Sequence, residues 1–147
     1  MSSCPFCRII SGDLGSARIS ENELAAAFLD IRPVNPGHTL VVPRRHVASL
    51  TDLTAAEAEA VFRLVRQVAS SLKTELTGCG GVTVSAADGE IAGQEVPHAH
   101  FHVIPRSAGD GFGWRRFGMP AEWDSLEAIA AVIRQSAMLA PRSGDTP

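Results

Sequence analysis

Three of the chain's five histidines fall at alternate positions in one short stretch, Pro97-His98-Ala99-His100-Phe101-His102-Val103-Ile104. A period of two is the signature of a strand, so His98, His100 and His102 are expected on one face, with Ala99, Phe101 and Val103 turned into a core. Neighbouring rings on such a face stand roughly 6.5–7 Å apart along the strand. Crowded imidazoles suppress one another's protonation. At pH 7 most should therefore be neutral, each offering one nitrogen lone pair. A neutral imidazole can attack an electrophile, accept a proton or ligate a metal. One half-buried histidine in a strand is usually only a hydrogen-bonding residue; three in register point to a site.

A second group with chemical potential is Cys4-Pro5-Phe6-Cys7. Two thiols at this spacing are a redox pair or half of a zinc site. A redox pair wants a strand before it and a long helix after it. Here three residues precede the motif, and Gly12 limits any helix after it to about one turn. That favours zinc over a pair of small apolar residues near a terminus. Two cysteines do not close a tetrahedral site, so two further ligands are required, and histidines are the obvious supply. His38 and His46 bracket a Val-rich segment and would lie roughly 25 Å apart if that segment were fully extended. They should therefore serve two places, one for chemistry and one for metal. Cys79 has no assigned role.

Acids and amides complete the candidates. Asp30 ends an apolar strand, where a carboxylate stays solvated or grips a ligand hydroxyl. The turn from Asp88 through Gly93 and Gln94 leads into the histidine stretch. Glycines there let backbone N–H groups approach an anion, and the Gln94 amide can donate to an oxyanion.

Patterning supplies the scaffold for these groups. Residues 17–20 and 24–31 read as a hairpin, 38–43 as a third strand and 82–86 as a fourth. A helix should start at Thr51 or Thr54 and run to about Leu76. Thr54-Ala55-Ala56-Glu57 fits a capping box, and Val61, Leu64, Val65, Val68 and Leu72 form its core stripe. Residues 107–118 are Gly-rich yet carry Phe112, Trp114, Arg115 and Arg116, so they should fold back on the domain. A second amphipathic helix is expected over 123–139, capped by Asp124 or Ser125, with Leu126, Ile129, Ile133 and Met138 buried. Residues 1–139 form one domain in this reading, and 140–147 a frayed tail.

At 147 residues and 45% hydrophobic content, one domain with an ordinary core is expected. A net charge of −3 lacks the bulk footprint of a polymeric nucleic-acid binder, though a single nucleotide needs only a local site. No signal-peptide pattern and no apolar run of membrane-spanning length is present, so no membrane association is expected. Three cysteines, an odd number, argue against a disulfide framework, which makes a reducing compartment, the cytoplasm, the expectation.

Taken in order, the CxxC, the strand ending Asp30-Ile31, the block Pro33-Val34-Asn35-Pro36-Gly37-His38-Thr39-Leu40-Val41-Val42-Pro43, the helix, the Gly93-Gln94 turn and His98-Ala99-His100-Phe101-His102-Val103-Ile104-Pro105-Arg106 resemble the histidine-triad (HIT) superfamily. The likeness extends through Asp110-Gly111-Phe112-Gly113 and is greatest to the Hint-like bacterial branch with an N-terminal zinc site. The resemblance implies an α+β fold, with a five-stranded antiparallel sheet, one long helix and a C-terminal helix, dimerising into a ten-stranded sheet. It implies a nucleotide hydrolase or transferase acting at the α-phosphorus of nucleoside 5′-phosphoramidates or related, purine, nucleotide conjugates. His100 would be the nucleophile, forming a nucleotidyl-histidine, with His102 and His38 tuning protons and charge around it. Asp30 would hold the ribose, Ile31 the base, and Gly93, Gln94 and Glu95 the phosphate region. Zinc would be structural, on Cys4, Cys7, His46 and His98. Two positions depart from the family: Ala87 replaces an Asn or Gln, and Glu95 a Ser or Thr. They support the alternative of a nucleotide-binding protein with weak catalysis; a dinucleoside polyphosphate hydrolase is the nearest alternative in substrate. A zinc hydrolase, using the His-x-His pair as an open metal site, is a further alternative.

Overall fold

The computed structural model describes residues 4–112 and 123–134. The chain divides into two compact units, Met1–Phe112 and Gly113–Pro147. In the first, the sheet strands are β1 (Arg18–Glu21), β2 (Ala25–Leu29), β3 (Thr39–Pro43), β4 (Gly81–Ser85) and β5 (Phe101–Arg106), and the helices are α1 (Pro5–Ser11) and α2 (Ala55–Glu75). All neighbouring strands pair antiparallel, in the order β1-β2-β3-β5-β4.

Both faces of the central strands are covered. Ala25, Ala27, Val41 and Val103 pack against the α2 stripe of Val61, Leu64, Val65, Val68 and Leu72. The alternate residues Ala26, Phe28, Leu40 and Val42 pack against Cys4, Phe6 and Ile9 on the opposite face. The period of two thus sorts side chains between two cores. His102 pairs with Leu40 across β3 and β5, which places it on the α1 face.

Helix α2 begins where its sequence signal places it. The Thr54 hydroxyl accepts from Glu57 N, and the Glu57 carboxylate accepts from Thr54 N at 2.9 Å. Thr51 instead lies in a 3₁₀ turn, Leu50–Asp52, capped by Ser49. Arg45 fixes Glu57 further, with two bonds of 2.7 Å. Its guanidinium and the Thr54 backbone hold the Glu57 carboxyl down at about 2. At Gly37, φ is +95° and an added Cβ would stand 2.5 Å from Leu76 Cδ1, so only glycine fits beneath the end of α2.

Several expected boundaries move. Strand β2 stops at Leu29 rather than Ile31, because Asp30 Oδ1 accepts from Arg32 N at 2.8 Å and turns the chain. Helix α1 starts inside the CxxC, at Pro5, whose missing N–H suits a first helical turn. Gly12, at φ +89°, ends it. The triad is not one uninterrupted strand: β5 begins at Phe101, and His98 precedes it in a bend. The cause is local, since Ala99 N is engaged by Val47 O at 2.6 Å rather than by a ladder partner.

The second unit contains helix α3 (Trp123–Arg134). Asp124 falls in its first turn. Ile129 and Ile133, expected to be buried, are exposed, at 61% and 55%. A helical stripe specifies an apolar face but not what covers it. The Leu126 and Ser125 side chains, Met138, residues 113–118 and the 140–147 tail lie outside the described residues.

Candidate active site and metal centre

Strand β5 and the extended residues before it carry three imidazoles into two different surroundings. His100 is 6% exposed. Its Nδ1 lies 2.7 Å from the His98 carbonyl oxygen. A carbonyl only accepts, so Nδ1 carries the proton and Nε2 keeps its lone pair. The Phe6 ring stands edge-on at 5.2 Å between centroids, and the His102 ring at 5.0 Å, so the imidazole is held on both sides.

His102 and His38 form a directed pair. Val34 N donates to His38 Nδ1 at 3.1 Å, which leaves the His38 proton on Nε2. That nitrogen is 2.9 Å from His102 Nδ1, which therefore accepts, and 3.7 Å from Asp30 Oδ2. The His102 proton must then sit on Nε2, as a neutral N–H donor. Burial, followed by the neighbouring His100 and His38, pushes His102 down to about 4 against the pull of Asp30 and Glu95. Burial also lowers His38, with Asp30 opposing. Both rings are neutral at pH 7. Asp30, His38 and His102 are close enough to share an ion. The Val34 N–H argues otherwise: by donating to His38 Nδ1 it leaves the ring's proton on Nε2, the nitrogen that faces the other two, so that nitrogen has no lone pair for a metal.

His98 belongs to the other surroundings. It is fully buried, and its donor atom lies within 4.8 Å of those of Cys4, Cys7 and His46. Cys4 Sγ is 3.4 Å and Cys7 Sγ 3.6 Å from His98 Nδ1; Cys7 Sγ and His98 Nδ1 are each 3.3 Å from His46 Nδ1. A tetrahedron with ordinary Zn–S and Zn–N bonds has S···N edges of about 3.5 Å and an N···N edge of about 3.4 Å. The donor set and its spacing fit zinc, and four protein donors leave no open position. His98 Nε2 donates to the Pro43 carbonyl at 2.9 Å, which frees Nδ1 for a metal and orients the ring. The cysteines reach this point because Cys4 is the N-cap of α1 and Cys7 lies in its first turn. As the spacing of His38 and His46 indicated, β3 sends one to His102 and the other to His98.

The flanking loops are built differently from expectation. Gly93, at φ +95°, closes a 3₁₀ turn, Glu90–Ala92. Gln94 is a strut: its Oε1 accepts from Gly89 N and its Nε2 donates to Ala48 O, each at 2.7 Å. One amide N–H is left over, so the expected oxyanion donor is first a loop anchor. Ile31 is 90% exposed. Glu95 pairs with Arg32 at 2.9 Å, and both side chains are largely in solvent. Sequence reasoning missed Arg32, the Phe6 edge beside His100 and the Val34 N–H. Phe6 had a signal, an aromatic inside the CxxC. The Val34 contribution is a backbone atom and has none. Asp110, noted in the sequence only as part of a motif, clamps Arg106 with bonds of 2.7 and 2.6 Å and accepts from Asn35 at 2.9 Å, tying the loop before β3 to the end of β5.

Comparisons with known proteins agree with this geometry. The HIT domain family matches residues 12–109. "Protein hit" of Bacillus subtilis is 40% identical over 133 residues, covering 88% of this chain and 91% of the relative. An adenosine 5′-monophosphoramidase of Schizosaccharomyces pombe is 36% identical over 134 residues, covering 89% and 96%. An asymmetrical bis(5′-nucleosyl)-tetraphosphatase of the same yeast is 39% identical over 97 residues, but these cover 66% of this chain and 53% of that one. Among solved structures, a HIT family member from Bacillus subtilis superposes with a TM-score of 0.82 at 38% identity, covering 90% and 95%. A Zn-bound histidine triad family protein from Mycobacterium smegmatis gives 0.72 at 36%, covering 90% and 94%. The paired strands, the buried imidazoles and these likenesses together place the chain in the histidine-triad (HIT) family.

Proposed function

We propose that the protein hydrolyses purine nucleoside 5′-phosphoramidates or related nucleoside monophosphate conjugates, through a covalent intermediate on His100. One observation carries the reading. The His98 carbonyl fixes the His100 proton on Nδ1, so the Nε2 lone pair is ready at every encounter. In the first step Nε2 attacks the α-phosphorus and the bond to the leaving nitrogen breaks, the amine taking up a proton from solvent as it departs. The nucleotidyl-imidazole then carries a positive charge, which Nδ1–H shares with the His98 carbonyl. Water attacks phosphorus and gives up a proton to solvent, the P–Nε2 bond breaks, and the lone pair returns to the ring. His102 offers an Nε2–H to a non-bridging oxygen, and His38 holds His102 in that tautomer. Asp30 is assigned to the ribose, Ile31 to the base, and Gly93, Gln94 and Glu95 to the phosphate surroundings.

Zinc on Cys4, Cys7, His46 and His98 would pin α1 to the start of β5 and so hold Phe6 against His100. The chemistry it supplies is structural. The reading includes a cytoplasmic homodimer and a single domain over residues 1–139. No helix among the described residues is long and apolar enough to cross a membrane.

Stereochemistry tests the route. Two in-line displacements retain configuration at a chiral α-phosphorus, whereas direct attack by water inverts it. Retention is expected, and inversion contradicts the nucleophilic role of His100. The second reading, a nucleotide binder with weak catalysis, draws on Ala87, whose methyl donates no hydrogen bond. Binding of a phosphoramidate without release of monophosphate favours it.

A further inference from the structure

We infer that Glu95, tethered by Arg32, is a charge selector for the leaving group, favouring amines that carry a cationic tail and disfavouring polyanionic leaving groups. This deepens the proposed reaction at His100 and rests on it. The ion pair joins the two loops that border the imidazoles. Arg32 lies two residues beyond Asp30, in the turn that ends β2, and its own N–H is held by Asp30 at 2.8 Å. Glu95 follows the Gln94 strut and precedes His98. In the binding mode proposed above, with the nucleoside along Asp30 and Ile31 and the phosphorus at His100, the remaining substituent would leave on the side of this bridge.

The local charge balance makes the bridge matter. His38 and His102 are neutral at pH 7, so they supply hydrogen-bond donors but no cation. The carboxylates acting on His102 are Asp30 and Glu95. Among the described residues Arg32 brings a cation to these two loops, and it is paired with Glu95. An α-phosphate diester or phosphoramidate brings one negative charge, and hydrogen bonds suffice for it. A polyphosphate leaving group brings several and meets a carboxylate. The pair is mostly solvent-exposed and therefore weak and salt-screened, so a cationic tail can replace Arg32 on Glu95 at little cost.

The test uses the full-length protein and three probes: an adenosine 5′-phosphoramidate with a cationic amine tail, its isosteric uncharged counterpart, and diadenosine tetraphosphate. In the wild type, kcat/KM for the cationic probe should exceed that for the uncharged one about five-fold at low salt, the size of one screened charge contact. Glu95→Gln should bring that ratio close to one and raise the relative rate on the tetraphosphate by a similar factor. Arg32→Gln should keep the preference for the cation, because it frees the carboxylate. Raising the salt concentration to about 0.5 M should collapse the wild-type ratio. An unchanged ratio in Glu95→Gln overturns the selector while leaving the reaction assignment intact. Wild-type protein that turns over none of the probes overturns the reaction assignment. The same ratios, read as dissociation constants by calorimetry, then decide the selector on their own.

Discussion

A histidine's chemistry is set by which nitrogen holds the proton, and here three backbone atoms decide it. The His98 carbonyl sets His100, the Pro43 carbonyl sets His98, and the Val34 N–H sets His38, which in turn sets His102. The residue types and their spacing were legible in the sequence; the tautomers were not, because their partners are main-chain groups brought near only by folding. The depressed His102 value has a consequence for stability. Unfolded, the ring titrates near 6.5; folded, near 4. Between those values the unfolded chain binds the extra proton, so stability is complete above pH 6.5 and falls as the pH drops towards 4. After a discount for solvent screening of a partly exposed ring, the loss amounts to on the order of 2 kcal/mol. Denaturant melts with excess zinc present, from about pH 7 to about pH 4.5, should show this slope, and it should be shallower in His102→Gln. An identical slope in the variant contradicts the assignment.

Among the elements, β5 shows why an alternating pattern can be right about faces and wrong about extent. Phe101 and Val103 face the α2 core as the period demands, and His102 faces away from it. The same period cannot reveal that Val47 takes up the Ala99 N–H and that His98 then turns towards the cysteines. The α2 stripe was fully legible, because a capping box and five apolar residues at helical spacing agree with each other. Leu64, at 0% exposure, is its centre. Leu64→Ala should cost about 2–5 kcal/mol in urea unfolding, and a change below about 1 kcal/mol would show that α2 does not carry this core. Helix α1 depends on a different support. Cys7→Ser should reduce bound zinc well below one ion per chain by elemental analysis and lower the melting temperature by roughly 10 °C. Full zinc content in that variant contradicts the ligand set. Ile129 and Ile133 mark the limit of such patterning, since nothing in a helical repeat names the surface that would cover it.

At the scale of the molecule, a sheet covered on both faces does two jobs with one pair of strands. His38, just before β3, meets His102 near the start of β5 beside His100; His46, beyond the end of β3, meets His98 and the two cysteines. The overall charge of −3 says nothing against a nucleotide, since the proposed site would use neutral donors rather than a basic surface. What the arrangement is for reduces to whether phosphorus bonds to the imidazole at residue 100. Intact-mass spectrometry after a brief, cold incubation with a nucleoside 5′-phosphoramidate answers this directly. The account predicts a gain of one nucleoside monophosphate residue in the wild-type protein and none in His100→Ala with its zinc retained. Turnover by His100→Ala at the wild-type rate, or an adduct that maps to another residue, would contradict it.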